Sequence, residues 1–328
     1  VTIEGAEKVG GLLPENTVLV VCIGSTIGKV ALTYQESVTN QQINAVICNN
    51  KTSPYYLYYA LLFSSQRLKS WSGTAAVPII KKSLFETFKI PLPPLPEQWG
   101  IAQVLSTIDN AIQKSDELIA KIERLKKGLM QELLTKGIGH TKFKMTEIGE
   151  IPEDWTIKKL GKIVELKNGA RPETVNEGTY PVYGANGIMG YTRKYLVDNE
   201  FTIVIGRVGA SGEVHLGKGK IWVSDNAIYS ESYDKTMVHM PFLYYLLKFK
   251  QLSRFATKTT HPIITQTFLK AFQISLPPLE EQQKIAEILS TVDKWLELER
   301  KRKEKLERLK KGLMNELLTG KIRVEVVE

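Results

Sequence analysis

Residues 90–136 read IPLPPLPEQWGIAQVLSTIDNAIQKSDELIAKIERLKKGLMQELLTK, and residues 274–320 read ISLPPLEEQQKIAEILSTVDKWLELERKRKEKLERLKKGLMNELLTG. The two stretches align without a gap at a constant offset of 184 residues, and 26 of their 47 positions are identical. Upstream, the same offset relates Pro78-Ile79-Ile80 to Pro262-Ile263-Ile264, and Ile23-Gly24 resembles Ile205-Gly206 with a small shift. Each half of the chain is therefore a variable segment followed by a nearly repeated one.

The repeated stretches have the pattern of long helices. Apolar or small residues recur at alternating steps of three and four, which is the spacing of a coiled-coil seam. Prolines precede each stretch at Pro93-Pro94 and Pro277-Pro278, where they block a helix only upstream. Gly137 and Gly320 follow the last periodic residues, the usual place for a helix to end. At 1.5 Å per residue, we expect rods of roughly 50–60 Å.

Each rod needs a partner for its apolar stripe, and the other copy in the same chain supplies one. We predict antiparallel pairing of the two helices with pseudo-twofold symmetry, through the following apolar residues: Ile101, Val104, Ile108, Leu118, Ile122, Leu125, Ile285, Ile288, Val292, Trp295, Leu306 and Leu309. The same spacing places Ser115, Glu299 and Arg302 in the stripe. These polar residues either set the pairing register or face a partner subunit.

The variable segments have mixed strand and helix patterns. In the first, we predict strands over Val18–Ile23, Lys29–Leu32 and Ala45–Cys48, then a helix over Pro54–Trp71. In the second, strands are expected over Phe201–Ile205, Glu213–Leu216, Ile221–Ser224 and Ala227–Ser230, then a helix over Pro241–Ala256. Residues 143–190 have no counterpart in the first half, so either the first domain has lost the matching segment from its start or the sequence is incomplete there.

The resulting prediction is an α/β (mixed α+β) protein with two globular domains separated by the two long helices. The expected boundaries are residues 1–96 for the first domain, 97–138 for the first helix, 139–275 for the second domain, 276–322 for the second helix and 323–328 for a tail.

Charge is concentrated in the two globular segments. The net charge of the 328 residues is +9, of which residues 1–96 carry +3 and residues 139–275 carry +5. Such an excess favours two separate polyanion-binding domains, although it is modest for each. The sequence has no long apolar run and no signal peptide, and its two cysteines form no CxxC pair. These features predict a cytoplasmic protein that does not interact with membranes.

Several stretches resemble the specificity subunit of type I restriction–modification systems. They are the doubled LPPL-x-EQ-x-x-IA-x-x-LST-x-D and ERLKKGLM-x-ELLT segments, together with Ile151-Pro-Glu-Asp-Trp155 and Tyr180-Pro-Val-Tyr-Gly-Ala-Asn-Gly187. The resemblance covers essentially the whole chain. It implies that each globular domain reads one half of a split, asymmetric DNA target. It also implies that the helices set the spacing and dock two methyltransferase subunits and, through them, the restriction (translocase/nuclease) subunits.

No motif for catalysis or cofactor binding is evident, so the chain is expected to be non-catalytic and to bind no cofactor or metal. Gly24-Ser-Thr-Ile-Gly28-Lys29 is one residue too short between its glycines for a phosphate-binding loop, and a hairpin turn is the preferred interpretation. The four histidines lack metal-ligand spacing. Two other interpretations stay open: a fragment of a fused restriction–methyltransferase enzyme, and a coiled-coil scaffold without DNA affinity.

Candidate DNA contacts are polar and basic residues in loops, because such side chains read base edges and phosphates. In the second domain we select Lys167, Asn168, Arg171, Asn186, Arg193, Arg207, Lys258, Thr259 and His261. In the first we select Ser25, Lys29, Gln41, Gln42, Lys81 and Lys82. Arg171 and Arg207 are preferred, since each lies beside a glycine or proline at a strand end. His215, on a predicted strand, is expected to be structural.

Overall fold

A computed structural model describes residues 12–73, 77–173, 178–257 and 262–324. The chain folds as two compact units. The first contains Val1–Ile119 and Leu298–Glu328, and the second contains Ala120–Glu297. Each unit thus holds one globular domain and one half of each long helix.

In order along the chain, the first globular domain consists of β1 (Val18–Val21), β2 (Val30–Leu32), β3 (Ile43–Val46), α1 (Pro54–Phe63), α2 (Ser65–Ser70) and α3 (Lys82–Phe85). The first long helix is α4 (Leu95–Leu133).

The second globular domain has more strands. Its elements are β4 (Phe143–Thr146), β5 (Gly149–Pro152), β6 (Thr156–Lys159), β7 (Val164–Asn168), β8 (Tyr180–Gly184), β9 (Gly187–Thr192), β10 (Val197–Gly206), β11 (Val214–Val223), β12 (Ala227–Tyr233), α5 (Met240–Phe249), α6 (Gln266–Ala271) and β13 (Gln273–Leu276). The second long helix is α7 (Leu279–Leu318). No described helix is both long and apolar enough to span a bilayer.

The sheet of the first unit is antiparallel, in the order β2-β1-β3. Val18 and Val20 alternate inward along β1 and are fully buried. They meet Leu57, Leu61 and other residues of the domain's helices in one apolar cluster. Burial of alternate residues on one face is what a sheet covered by helices on one side requires.

In the second unit, six strands form a larger sheet in the order β7-β12-β10-β11-β8-β9. Among the described strands of this sheet, only β8 and β11 pair in parallel. β6 pairs with β13, and β4 pairs with β5, as separate two-stranded ribbons. One core cluster joins β10 and α5 to Leu160, Ile163 and the long-helix residues Ile285 and Leu289.

The two long helices pair antiparallel within each unit. In the first unit Lys310 lies 2.5 Å from Asp109, and Lys303 lies 2.6 Å from Asp116. In the second unit Lys126 forms an ion pair with Asp293. Adding 184 to Asp109 and to Lys126 gives Asp293 and Lys310, so one ion pair is the repeat of the other. The predicted mixed α/β class and the antiparallel pairing of two long helices are confirmed.

A glutamine fastens each globular domain to its helix. The Gln98 carbonyl oxygen accepts from the Ser53 N–H at 2.9 Å, and its amide donates to the carbonyl oxygens of Lys51 and Pro93. In the second unit Gln282 accepts from the His239 N–H at 2.9 Å and donates to Met237 and Pro277. Both glutamines are buried, and the contacts identify Ser53 and His239 as equivalent positions.

The predicted seam register is partly wrong. Ile101, Ile108, Ile122, Ile285 and Val292 are buried. Leu118 and Leu306 are half-buried. The remaining predicted pairing residues are too exposed for a seam: Val104 is 36% exposed, Leu125 47%, Ile288 37%, Trp295 46% and Leu309 51%.

The true seam residue lies one position later in each of those five cases. Leu105, Leu289 and Leu296 are buried there, and Lys126 and Lys310 occupy the other two positions with half-buried side chains that pair with aspartates. The predicted and the observed seam positions both recur at alternating steps of three and four. Because apolar residues occupy neighbouring positions of the helices, spacing alone could not distinguish the two sets.

A buried polar contact lies in the seam. The Ser115 hydroxyl donates to a Glu299 carboxylate oxygen at 2.7 Å, and both side chains are buried. The two positions are equivalent in the repeat, since they differ by 184 residues. Arg302, by contrast, is exposed and only flanks Glu299 at 3.5 Å. Of the two interpretations for these polar residues, the contact supports a role in pairing for Ser115 and Glu299.

Several predicted boundaries change in the structure. The helix expected over Pro54–Trp71 divides at Ser64, whose N–H closes α1 on the Ala60 carbonyl. The helix expected over Pro241–Ala256 ends at Phe249, just before Gln251 adopts a φ of 49°. The strands expected over Glu213–Leu216 and Ile221–Ser224 are one strand, β11, that runs through its glycines. The short or polar strands β4 to β9 and β13 were not predicted at all.

We expect Ser115→Glu to destabilise the protein by about 3 kcal/mol at neutral pH, because it places two carboxylates face to face in a buried site. The loss should shrink as the pH falls, since protonation of one carboxyl removes the repulsion. Chemical denaturation at pH 7 and pH 4 measures both effects.

Two further variants complete that test. The exchanged pair Ser115→Glu/Glu299→Ser should restore stability to within about 1 kcal/mol, because it recreates the same contact with the roles reversed. Gln103→Glu, on an exposed position of the same helix, controls for the added charge and should be nearly neutral. An exchanged pair no more stable than Ser115→Glu alone would contradict a pairing role for this contact.

Candidate nucleic-acid interface

Loops from five parts of the chain contact one another at strand ends of the large sheet in the second unit. The Gly169 N–H donates to the Ala227 carbonyl at 3.0 Å, and the Ala170 N–H donates to the Val223 carbonyl at 2.9 Å. The Ser224 N–H donates to the Tyr183 carbonyl at 2.8 Å, which joins the β8–β9 turn to the same layer. We call this set of loops, residues 168–171, 184–187, 206–213, 224–226 and 262–264, the loop layer.

Arg207 lies at the centre of the loop layer. Its N–H donates to the Asn226 carbonyl at 2.8 Å, and its own carbonyl accepts from the Ile264 N–H at 3.1 Å and from the Ser211 hydroxyl at 2.9 Å. Main-chain contacts on both sides therefore fix the backbone of Arg207. The half-buried residue presents a guanidinium from a rigid base, which suits planar, bidentate recognition.

A close approach between loops requires glycine at position 169. A Cβ atom there would lie 2.1 Å from the Ser224 carbonyl oxygen and 2.4 Å from that of Val223. Any side chain would push residues 168–171 away from the turn that precedes β12. Gly169 thus brings Asn168 and Arg171 next to the rest of the layer.

The first unit repeats this loop arrangement. The Cys22 N–H donates to the Gln42 carbonyl at 2.8 Å, and the Cys22 carbonyl accepts from the Ile80 N–H at 2.8 Å. Isolated bridges join Ile23 to Ile79 here and Val208 to Ile263 in the second unit. Cys22 is therefore equivalent to Arg207, and Gln42 is equivalent to Asn226.

This equivalence corrects one sequence match. Ile23-Gly24 corresponds to Val208-Gly209, not to Ile205-Gly206. Gly24 and Gly209 both have positive φ, at 88° and 83°, and each begins the turn that joins two antiparallel strands. The Gly24–Gly28 stretch is thus a hairpin turn, as preferred over a phosphate-binding loop.

The structure brings four of the nine predicted contacts of the second domain to the loop layer. Asn168, Arg171 and Asn186 are exposed there, and Arg207 is half-buried. Lys167 precedes the layer in β7 and forms an ion pair with Glu231. That hydrogen bond to Glu231 is the main reason why the pKa of Lys167 lies above its usual value. The charge of Lys167 is thus already compensated within the domain.

Two groups of predicted residues are not placed in the layer. Arg193 is exposed after the far end of β9, away from the turn that carries Asn186. Lys258, Thr259 and His261 lie outside the described residues. Among the described neighbours of these residues, the Thr257 N–H donates to the Ile263 carbonyl at 3.1 Å, and the Ile264 N–H donates to the Arg207 carbonyl.

In the first domain, the predicted contacts are all exposed: Ser25, Lys29, Gln41, Gln42, Lys81 and Lys82. Ser25 lies in the β1–β2 turn, Gln41 and Gln42 precede β3, and Lys81 follows the Ile80 that binds Cys22. Lys82 is 3.9 Å from Glu86. These residues surround the first unit's version of the loop layer.

Sequence reasoning missed Asn226 as a candidate contact. Its side chain is exposed, while its carbonyl holds the N–H groups of Arg207 and Val208. The polar Asp225-Asn226 turn between two apolar strands was the available signal. His215 also borders the layer, with Nε2 3.2 Å from the Ala185 carbonyl, which agrees with a structural role. The described residues contain no cluster of His, Cys, Asp or Glu suited to a metal ion.

The exposed helix residues form a second candidate surface, which we call the outer stripe: Val104 and Leu309 in the first unit, and Leu125, Ile288 and Trp295 in the second. Each precedes a seam residue by one position. In an antiparallel helix pair, the residues directly before these seam positions lie on the same side of the pair in both helices. The residues directly after a seam position, such as Asp109 and Asp293, lie on the opposite side. The globular domain lies on that other side, because Tyr59 donates to Asp109 and Tyr245 donates to Asp293, each at 2.8 Å. The outer stripe is therefore left exposed.

Comparison with known proteins identifies two matching segments. A family model for the type I restriction modification DNA specificity domain matches residues 4–124 and again residues 152–308. The type I restriction enzyme MjaVIII specificity subunit of Methanocaldococcus jannaschii is 32% identical over 349 residues, covering 96% of this chain and 81% of that protein. The EcoprrI specificity subunit of Escherichia coli is 24% identical over 300 residues, covering 88% and 74%.

A solved structure has the same fold. The S subunit of a type I restriction–modification system from M. genitalium matches with a TM-score of 0.69 at 20% sequence identity, covering 96% of this chain and 84% of that one. Both globular domains and both long helices thus lie within the matched part, and the chain belongs to the family of type I restriction–modification DNA specificity subunits.

Proposed function

We propose that each globular domain reads one half of a bipartite, asymmetric DNA target through its loop layer. The observation that supports this most directly is the equivalence of the two layers. The same backbone contacts hold Arg207 in one unit and Cys22 in the other. Cys22 is buried whereas Arg207 is half-buried, so the two like frames present unlike sets of loop side chains, which suits them to reading two different half-sites.

The chemistry of the second layer suits the major groove. An arginine guanidinium can donate two hydrogen bonds to guanine O6 and N7, and asparagine can form two with adenine. Arg207, Asn168 and Asn186 offer these groups, while Arg171 and the lysines are better suited to phosphate contacts. The net charge of +5 on residues 139–275 favours approach to a polyanion.

The two long helices would set the distance between the half-sites. They contain 39 and 40 residues, or about 60 Å at 1.5 Å per residue. Half-sites one helical turn apart on one face of a duplex are about 34 Å apart, which is within the reach of such rods.

The outer stripe would dock two methyltransferase subunits, and through them the restriction subunits. Val104 and Ile288 occupy the same repeat position, as do Leu125 and Leu309. Each unit therefore presents one residue of each kind, so that two similar apolar surfaces could receive two copies of one partner. In this assembly the chain itself is the non-catalytic, DNA-reading component, and a cytoplasmic location follows from its DNA target.

Neither alternative from the sequence has comparable support. A fused enzyme would need catalytic motifs that the sequence lacks. A coiled-coil scaffold without DNA affinity would not account for the two equivalent loop layers, each of which is rich in exposed polar side chains.

Deletion of this subunit in its host should abolish methylation of adenines at one split, asymmetric motif, because the methyltransferase would lose its guide to the target. Genome-wide mapping of methylated adenines, with and without the gene, measures this. The control is the gene restored on a plasmid. Unchanged methylation at every motif after deletion would contradict the proposal.

Arg207→Ala should relax specificity at one base pair of one half-site, since a good bidentate contact is worth about 1–3 kcal/mol of discrimination. Competition binding of the assembled methyltransferase to single-base variants of the target measures the change. Lys235→Ala is the charge-matched control, because Lys235 follows β12 at the end opposite the loop layer. Equal losses on all sequences, or in both variants, would argue against base reading by Arg207.

Leu125→Glu/Ile288→Glu should weaken methyltransferase binding at one of the two docking surfaces, because it places two charges in an apolar contact. The mass of the complex in analytical ultracentrifugation should fall by one methyltransferase subunit. Lys121→Glu/Lys294→Glu, at exposed positions of the same helices, is the control. A complex of unchanged mass and affinity would exclude the outer stripe as the docking surface.

A further inference from the structure

The outer edge of β3 is unpaired in the described part of the first unit. Strand β3 is the last strand of the sheet β2-β1-β3. The Cys22 N–H bonds to Gln42, so residues 42, 44 and 46 face β1, and Ala45 directs its N–H and C=O away from the sheet. Ala45 is exposed. An open edge of this kind is a template for another strand.

The second unit covers the equivalent edge. Since Gln42 corresponds to Asn226, β3 corresponds to β12, and Ala45 corresponds to Tyr229. Strand β12 continues the sheet to β7, where Tyr229 pairs with Lys167 in an antiparallel ladder. The first unit therefore lacks, among its described residues, the strand that completes the sheet in the second.

An open groove of about 660 Å³ lies beside this edge. One wall is β3 (Ile43–Val46) together with the next residue, Ile47. The other consists of apolar side chains from the helices and the segment after them, at Leu57, Leu61, Phe85, Phe88 and Ile90. Phe85, Phe88 and Ile90 are only partly buried, and Ile47 is 62% exposed.

The matching wall of the second unit is covered except at Phe272, the equivalent of Phe88, which is also only partly buried. Leu243, Leu247, Leu269 and Ile274 are equivalent to Leu57, Leu61, Phe85 and Ile90, and none of the four has any exposed surface. They belong to the same core cluster as Leu160, Ile163 and Leu166. Those three residues lie on one segment, 156–168, which runs from β6 into β7.

We infer that the groove in the first unit is a binding site for an extended polypeptide segment. The occupant is a strand-forming segment of a specificity-subunit chain with the apolar spacing of Leu160, Ile163 and Leu166. It pairs antiparallel with β3 and places its apolar side chains against the far wall of the groove. This inference does not rest on the proposed DNA reading, because its test needs no DNA.

Other kinds of occupant fit the groove less well. A helix would leave the outward N–H and C=O of Ala45 without partners. Nucleic acid would meet an apolar wall, and the charged residues at the rim, Lys82 and Glu86, are paired at 3.9 Å and add no net charge. A segment that adds a strand satisfies both the main-chain edge and the apolar wall.

The direct test adds a synthetic peptide with the sequence of Ile151–Asn168 to the 328-residue chain. We expect one peptide to bind per chain in calorimetry, and amide exchange at Ala45 to slow by about tenfold or more at saturation, as for a newly paired strand. Exchange in β12 should not change, because that edge is already paired. A control peptide has aspartate in place of Leu160, Ile163 and Leu166 and should not bind.

A variant of the edge distinguishes strand addition from nonspecific apolar binding. Ala45→Pro removes the outward N–H and none of the hydrogen bonds to β1, and it should weaken peptide binding by about tenfold, the usual effect of one main-chain hydrogen bond. Ala45→Thr retains that N–H and should bind as the original chain does. Circular dichroism first establishes that both variants fold.

Three outcomes would overturn the inference: no binding of the peptide at millimolar concentration, equal binding of the aspartate control, or equal affinity for a folded Ala45→Pro variant. If Ala45→Pro does not fold, protection of the Ala45 amide in the original chain decides the question. Failure of any of these tests would leave the DNA-reading proposal unaffected, since that proposal depends on the loop layer.

Discussion

The antiparallel pairing of the two long helices is the constraint on which the remaining structure depends. Within each unit, the helix pair has two sides, and both are used. On one side, Asp109 in the first unit and Asp293 in the second each bind a tyrosine of that unit's globular domain. Burial, followed by the hydrogen bond to the aspartate, raises the pKa of each tyrosine well above its usual value, so both remain protonated donors at any physiological pH. The other side keeps an apolar stripe exposed.

The glutamine at the start of each helix links this constraint to the loops. Gln98 and Gln282 each hold the backbone just before a domain helix and just before their own helix. The domain helix in turn packs on the sheet, and the loop layer lies at strand ends of that sheet. In each unit, buried contacts thus fix the position of the loops relative to the helix seam. The same contacts do so in both units, although the sequences of the two domains differ.

The sequence predicted the architecture because the repeat is long and periodic. It could not predict the phase of the seam, since Val104 and Leu105 are both apolar and spacing alone does not distinguish them. It also missed β6, β7 and the turn between them, whose polar residues conceal the role of Leu160 and Leu166 in the core. The correspondence of Cys22 with Arg207 depends on hydrogen bonds between distant segments, and no local pattern in the sequence contains that information.

The fixation of Arg207 by main-chain atoms has a consequence for how such proteins diversify. The contacts that hold residues 207 and 22 in place involve N–H and C=O groups, which every residue except proline possesses in full. Exchange of the half-buried Arg207 side chain leaves the supporting bonds intact, whereas the buried Cys22 side chain also packs in the core of its domain. New preferences for a base can therefore arise by single substitutions at the tips of the loops, at little cost to folding, while the helices and their partners stay the same.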